Sequence, residues 1–403
     1  MNEQLDSSGA AELPLAGLRV LDFSQFLAGP SCALRMADLG ADVIKVERPE
    51  GGDLCRQLVV ADQRVGDDSA LFHTINRNKR SFAADLKQPE DLARIKELIA
   101  KADVMIHNFR PGVMERIGLD YAAVQALNPR IVYAAVTGYG EQGPWRDKPG
   151  QDLLVQSLSG LAWLTGTGGD DAPPVPAGVS LIDMMTGAHL LQGILALLLR
   201  RGVTGRGGRV DASLLESAMD LQFEPFTAFL NGDRRQPQRS TVNHASVHGA
   251  APYGIYRSAD GYLAVAMTPM DELARLIACE PLARLAADRS GWYRERDALK
   301  RALQDHLVTR TTANWLAVLE PAGVWCADVL TWPRLVAHPA FAALEMVQPL
   351  GEGAAAMQTT RCPLRIDRQV LRNPRPAPAL GQHTQEIIEE LGLAPATTAE
   401  SMA

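Results

Sequence analysis

An aspartate stands where a proline–glycine turn runs into apolar residues in "DKPGQDLLVQSLSG", residues 147–160. Two kinds of work suit Asp152. It can cap the helix that the apolar run predicts, contributing about 1 kcal/mol. It can also be a side chain that itself does chemistry. Spacing alone does not separate the two. The neighbouring Gly150, Gly160, Gly166, Gly168 and Gly169 allow a backbone to approach a ligand closely, which a cap does not need.

A second set of residues points to an anion. Lys45, Arg48, Arg77, Lys79, Arg80, Arg110 and Arg116 gather near the ends of predicted strands. Ligands of open α/β sheets bind beyond the carboxyl ends of strands. A solvated surface accounts for any one of these cations. As a set, in a chain with a net charge of -7, they favour an anionic ligand such as a phosphorylated cofactor. Phe109 offers either a stacking face for a flat base or an apolar wall.

Other chemistries find no footing. Gly138-Tyr-Gly-Glu-Gln-Gly143 matches G-x-G-x-x-G, but the "PWRDKP" that follows is a loop. A dinucleotide fingerprint needs a helix opening there. No P-loop, G-x-S-x-G elbow or H-E-x-x-H is present. His244 and His248, four apart in a loop-like stretch, read as polar linkers rather than metal ligands. The acidic balance argues against nucleic acid as partner. Cys32, Cys55, Cys279, Cys326 and Cys362 form no C-x-x-C pair. They read as free thiols in a reducing compartment, the cytoplasm.

The elements that must position these residues follow from periodicity. "LRVLDF" (18–23), "DVIKVE" (42–47), "DVMIH" (103–107) and "RIVYAAVTG" (130–138) read as buried strands. Helical stretches, including 89–102, intervene, so the first half is α/β with a largely parallel sheet. Residues 150–165, 183–201 and 213–230 predict helices. The apolar "LLQGILALLL" (190–199) is too short to span a bilayer, so no membrane is expected. Residues 253–267 predict a hairpin through Asp260-Gly261, and 383–391 a terminal helix. A chain of 403 residues predicts two domains. Residues 1–13 read as a flexible tail.

The blocks "LRVLDFSQFLAGP", "MADLGADVIKVERPEGGD", "NRNKRS", "ADVMIHNFRPGVMERIGLDY", "VTGYGEQGPWRDKPGQDLLVQSLSG", "TGRGGRVDASLLESAMDL" and "PALGQHTQEIIEELG" follow one another over residues 14–393. In that order they resemble the class III CoA-transferase family, the formyl-CoA and carnitine CoA-transferase type. The resemblance implies a Rossmann-like large domain with a smaller α+β domain. Its first part is residues 14–205, the linker and small domain are 206–324, and 325–403 return to complete the large domain. It also implies an interlocked-ring homodimer. The implied activity is reversible transfer of CoA between carboxylic acids, with Asp152 forming a mixed anhydride. Coenzyme A and acyl-CoA are substrates, and no tightly bound cofactor or metal is implied.

CoA-binding positions carry over to Ala28, Arg48, Arg77, Asn78, Lys79, Asn108, Phe109, Arg110, Arg116, Thr137, Gly138, Tyr139 and Gly140. Substrate-facing positions carry over to Leu27 and Gln151. Leu27 stands where formyl-CoA transferase has a glutamine, and leucine cannot hydrogen-bond an oxalate-like acid, so a different acid is expected. Two alternatives remain open. An α-methylacyl-CoA racemase shares the fold but has a histidine where Gln151 stands. A non-catalytic acyl-CoA-binding protein would bind CoA and transfer nothing.

Overall fold

The computed structural model describes residues 13–353, 356–373 and 375–393. Of the expected N-terminal tail, all but Leu13 lies outside these residues. The chain forms two compact units. One takes in the described residues within Met1–Val155, Ser180–Ser217 and Ala342–Ala403, the other Gln156–Val179 and Ala218–Phe341. The sequence reading placed its boundaries at 205/206 and 324/325. The observed units also exchange the stretch 156–179, whose short helix and loops carry no signal of a domain change.

The first unit is α/β. Its sheet has six strands: β1 (Arg19–Asp22), β2 (Asp42–Glu47), β3 (Arg80–Ala83), β4 (Val104–His107), β5 (Val132–Thr137) and β6 (Gly208–Ser213). All pairings are parallel, in the order β3-β2-β1-β4-β5-β6. The central strands are nearly continuous apolar runs because both faces of a parallel sheet are covered. β3 was not foreseen. It is four residues long and begins with Arg80, inside the basic stretch "NRNKRS".

Helix α1 (Ala28–Asp38) follows β1, and α2 (Pro89–Ala100) precedes β4. Pro89 at the start of α2 and Glu90 and Asp91 in its first turn suit a helix N-terminus. Ile95, Leu98 and Ile99 share one buried face, packed with Leu21, Ile44, Phe82, Met105 and Tyr133 of the sheet. Each such side chain contributes about 1.5–3 kcal/mol by leaving water. Two further helices bear on the site: α3 (Asp152–Leu158) and α4 (Leu181–Thr204). By length and composition alone α4 could cross a membrane. Here its Ile182, Thr186, Gly187, Leu190 and Ile194 stripe is buried, packing on α1, β5 and β6. Leu199 and Val203 stay 77% and 90% exposed. All five cysteines are unpaired.

The second unit has a three-stranded antiparallel sheet of β7 (Gly254–Arg257), β8 (Tyr262–Val265) and β9 (Cys326–Asp328), in the order β9-β8-β7. The hairpin turns at Ser258–Gly261, as Asp260-Gly261 predicts. Its core joins Tyr256 and Leu263 to Leu299, Leu303 and Trp315.

Candidate active site

The strand order reverses its direction of winding between β1 and β4, so a crevice opens there at the carboxyl ends of the strands. A cavity of about 600 Å³ occupies it. Gln25–Ala28 after β1, Asn108–Pro111 after β4 and Thr137–Gly138 after β5 line it, with Gly150–Asp152, Ser180 and Asp183. The volume suits a small-molecule site.

Asp152 is 5% exposed on this wall. It is the first residue of α3 rather than the residue before it. Its Oδ2 accepts the N–H groups of Ile182 at 2.8 Å and Asp183 at 3.0 Å. These are orphan donors of the first turn of α4. Ser180, the cap residue of α4, makes no side-chain cap bond. Asp152 thus caps a helix thirty residues further on. The partial positive charge of that helix end favours a carboxylate.

The loop before Asp152 is held by a steric device. A Cβ on Gly138 would lie 2.6 Å from Gly150 Cα, and one on Gly150 would lie 2.5 Å from Gly138 Cα. Only two glycines let the loop close on the end of β5. A Cβ on Gly187 of α4 would meet Ser31 Oγ at 2.2 Å and Ala28 O at 2.7 Å. The starts of α1 and α4 therefore lie together, and both are on the cavity wall. Helix N-termini of this kind attract anions.

Several residues expected from sequence meet here: Leu27, Ala28, Asn108, Phe109, Arg110, Thr137, Gly138, Gln151 and Asp152 all line the cavity. Asn108 exchanges side-chain hydrogen bonds with the backbone of Gln25, accepting at 2.9 Å and donating at 2.7 Å. It fixes the turn after β1. Phe109 stacks on His107, ring centroids 6.2 Å apart. Burial, then the Arg209 charge, push the His107 pKa down to about 4, so the support is an uncharged ring.

The other basic residues are placed differently. Lys79 is fully buried, its Nζ 2.8 Å from Asp22 Oδ2 and bonded to Pro30 O and Asn76 Oδ1. Lys45 is buried between Asp53 Oδ2 (2.7 Å) and Ser24 O (2.8 Å). Burial alone would raise the Asp22 carboxyl, but Lys79 and Lys45 hold it below the usual range. Arg77 and Asn78 both donate to Asp38. These groups do not line the cavity. Lys45 and Lys79 tie down the turn 23–30 that does, whereas Arg77 and Asn78 hold the far end of α1. Phe26 in the turn takes a left-handed φ of 63°.

Arg48 is exposed and reaches Gly52 O at 3.4 Å. Arg116 stands beside the turn at Gly112, next to Arg146. Tyr139 donates to Pro149 O and the Gly140 N–H to Thr137 Oγ1. None of these four is on the cavity wall. Of Gly150, Gly160, Gly166, Gly168 and Gly169, only Gly150 lines the cavity. Gly166 and Gly168 instead close onto Val175 and Arg239 in the second unit.

The sequence reading missed Phe26, Arg146, Lys148 and Asp183, which also line the cavity. Burial, then the charge of Asp152, raise the Asp183 carboxyl from 3.8 to about 7. A second aspartate opening a predicted helix was the available signal.

The chain was compared with known proteins. Residues 15–384 match CoA-transferase family III. An acyl-CoA transferase of Fusarium pseudograminearum is 35% identical over 97% of this chain and 88% of its own length. The succinate–glutarate CoA-transferase of Agrobacterium fabrum is 33% identical over 94% and 96%. A solved CAIB/BAIF family protein from Brucella suis superposes with a TM-score of 0.78 at 31% identity, covering 94% of this chain and 99% of that one. The chain belongs to the class III CoA-transferase family and is an enzyme of that class.

Proposed function

We propose that the enzyme moves CoA reversibly from an acyl-CoA to a carboxylic acid through a mixed anhydride on Asp152. The observation that carries this reading is the seating of Asp152: buried, on the cavity wall, fixed by two backbone N–H groups. Its carboxylate attacks the thioester carbonyl, the C–S bond breaks, and the electron pair leaves on the CoA sulfur. The acceptor acid then exchanges through the anhydride, and the thiolate takes up the new acyl group. Covalent catalysis divides one difficult exchange into easier steps.

Arg110 on the wall, with Arg116 and Arg146 beside the Gly112 turn, suits the phosphates of CoA. Phe109, backed by His107, suits a flat base. Relatives of this chain carry the names succinate–glutarate, succinyl-CoA–L-malate and succinyl-CoA:mesaconate CoA-transferase. We therefore assign a small dicarboxylic acid to one side of the exchange, with Lys148 and Arg146 offering positive charge on the wall. The exposed apolar stripe of α4 fits the interlocked homodimer of a Rossmann-like family, working in the cytoplasm. A racemase needs a base where Gln151 stands, and an amide is none.

The test is a panel. Succinyl-CoA is incubated with glutarate, malate, mesaconate and monocarboxylic acids, and new thioesters are resolved by mass. At least one new thioester is expected. CoA binding without any new thioester would overturn the reading in favour of a binding protein.

A further inference from the structure

A second carboxylate faces the same cavity. Asp183 is the third residue of α4, and its backbone N–H is one of the two that Asp152 accepts. Its side chain lines the cavity beside Asp152, Gln151 and Ser180. Two carboxylates thus share one helix N-terminus, and Asp152 holds its N–H groups. Among the described residues, no hydrogen-bond donor or ion pair meets the Asp183 carboxyl.

The charged and titratable groups facing it are few. Asp152 comes from α3. Arg110, beyond β4, and Arg146 and Lys148, in the loop after β5, line the same cavity. Cys55 lines it too, its thiol pushed up by burial and then by Asp53. His189 stands further along α4 and bonds Ser217.

We propose that Asp183, in its acid form, is a catalytic residue whose carboxyl O–H donates a hydrogen bond to the acid group being exchanged at Asp152. This role rests on the transferase reading above. Every partner in that exchange is an anion: the Asp152 carboxylate, the incoming acid and the departing thiolate. An ionised Asp183 would add another negative charge at the same place. A protonated one supplies a donor at no cost in charge, and such donors stabilise charge that develops on oxygen. The proton stays on Asp183 throughout. The C–S bond breaks, the anhydride C–O bond forms, and no proton is gained or lost in transfer. Burial and the Asp152 charge raise the carboxyl to about 7, which keeps the acid form populated at neutral pH.

The test pairs kinetics with a direct titration. Turnover against pH is measured for the wild type, Asp183→Asn and Asp183→Ala, and the Asp183 carboxyl is followed by carbon-13 NMR. In the wild type the carboxyl should titrate near 7 and shift downward in Asp152→Asn. Turnover should fall about tenfold per pH unit above that point. Asp183→Asn keeps a neutral donor, so it should lose this alkaline limb while turnover at low pH drops less than about tenfold. Asp183→Ala should lose roughly 100-fold or more at every pH.

The same alkaline limb in Asp183→Asn, or a carboxyl titrating with exposed aspartates, would overturn the role. So would deuterium entering the α-carbon of an acyl-CoA without acceptor acid, because Asp183 would then be a proton-abstracting base. A wild type that transfers no CoA would sink the transferase reading itself, a result distinct from a working transferase indifferent to Asp183.

Discussion

At the residue scale, one carboxylate has an observed role as a helix cap and a proposed one as a nucleophile. Asp152 does cap a helix, and the helix whose N–H groups it accepts is α4, thirty residues on. The cap is also the means by which the carboxylate is fixed on the cavity wall. Asp183 pays for this closeness with a raised pKa. An aspartate whose folded pKa is about 7 and whose ordinary value is 3.8 favours folding in its acid form. Stability therefore falls as pH rises from about 4 to 7 and stays low above. Asp183→Asn removes the ionising group. Its melting temperature should exceed that of the wild type at pH 8, and the difference should shrink at pH 5 by scanning calorimetry. An unchanged difference across that range would contradict the burial assigned to Asp183. Sequence could locate Asp152 but not its partner helix, because a contact between residues 152 and 182 has no local signature.

At the element scale, the strand ends were legible and the roles of the cations were not. Alternation, turn residues and apolar runs located β1, β2, β4 and β5 to within a residue or two. The switch-point rule then pointed to the edge of the sheet where the cavity lies. The basic residues divide in a way that spacing could not foresee. Arg110 faces the cavity, whereas Lys79 is buried against Asp22, a carboxylate brought to it by β1 from far along the chain. The two should respond differently. Arg110→Ala should raise the Kd for CoA about tenfold or more, in line with a charge-assisted hydrogen bond, and leave the melting temperature nearly unchanged. Lys79→Ala should cost about 3–5 kcal/mol of stability in a denaturant titration, since it strands a buried carboxylate. A selective effect of Lys79→Ala on CoA affinity, with stability intact, would instead make it a ligand contact. The Gly138–Gly150 closure gives one more prediction. Gly150→Ala must push the loop off β5, and a displacement of about 1 Å at Asp152 can cost about 100-fold in kcat. Turnover that survives in a folded Gly150→Ala protein would show that the closure does not position Asp152.

At the scale of the whole molecule, the order of blocks along the chain carried the family, and family similarity over residues 15–384 agrees with it. The course of the chain between the two units was less legible, because the exchange at 156–179 depends on where a short loop packs. An interlocked dimer predicts that light scattering reports two copies at every concentration at which the protein stays folded. A folded monomer on dilution would contradict it. The central claim, that CoA moves through an anhydride on Asp152, is tested most directly by trapping the intermediate. Intact-protein mass spectrometry is run after acyl-CoA and then hydroxylamine are added to the wild type and to Asp152→Asn. The account predicts a hydroxamate on Asp152 alone in the wild type. It predicts none in Asp152→Asn, which should fold, bind CoA and lose turnover, since asparagine caps about as well but is a very poor nucleophile. Substantial turnover in Asp152→Asn, with reversion to aspartate excluded by mass, would leave Asp152 a cap and contradict the account.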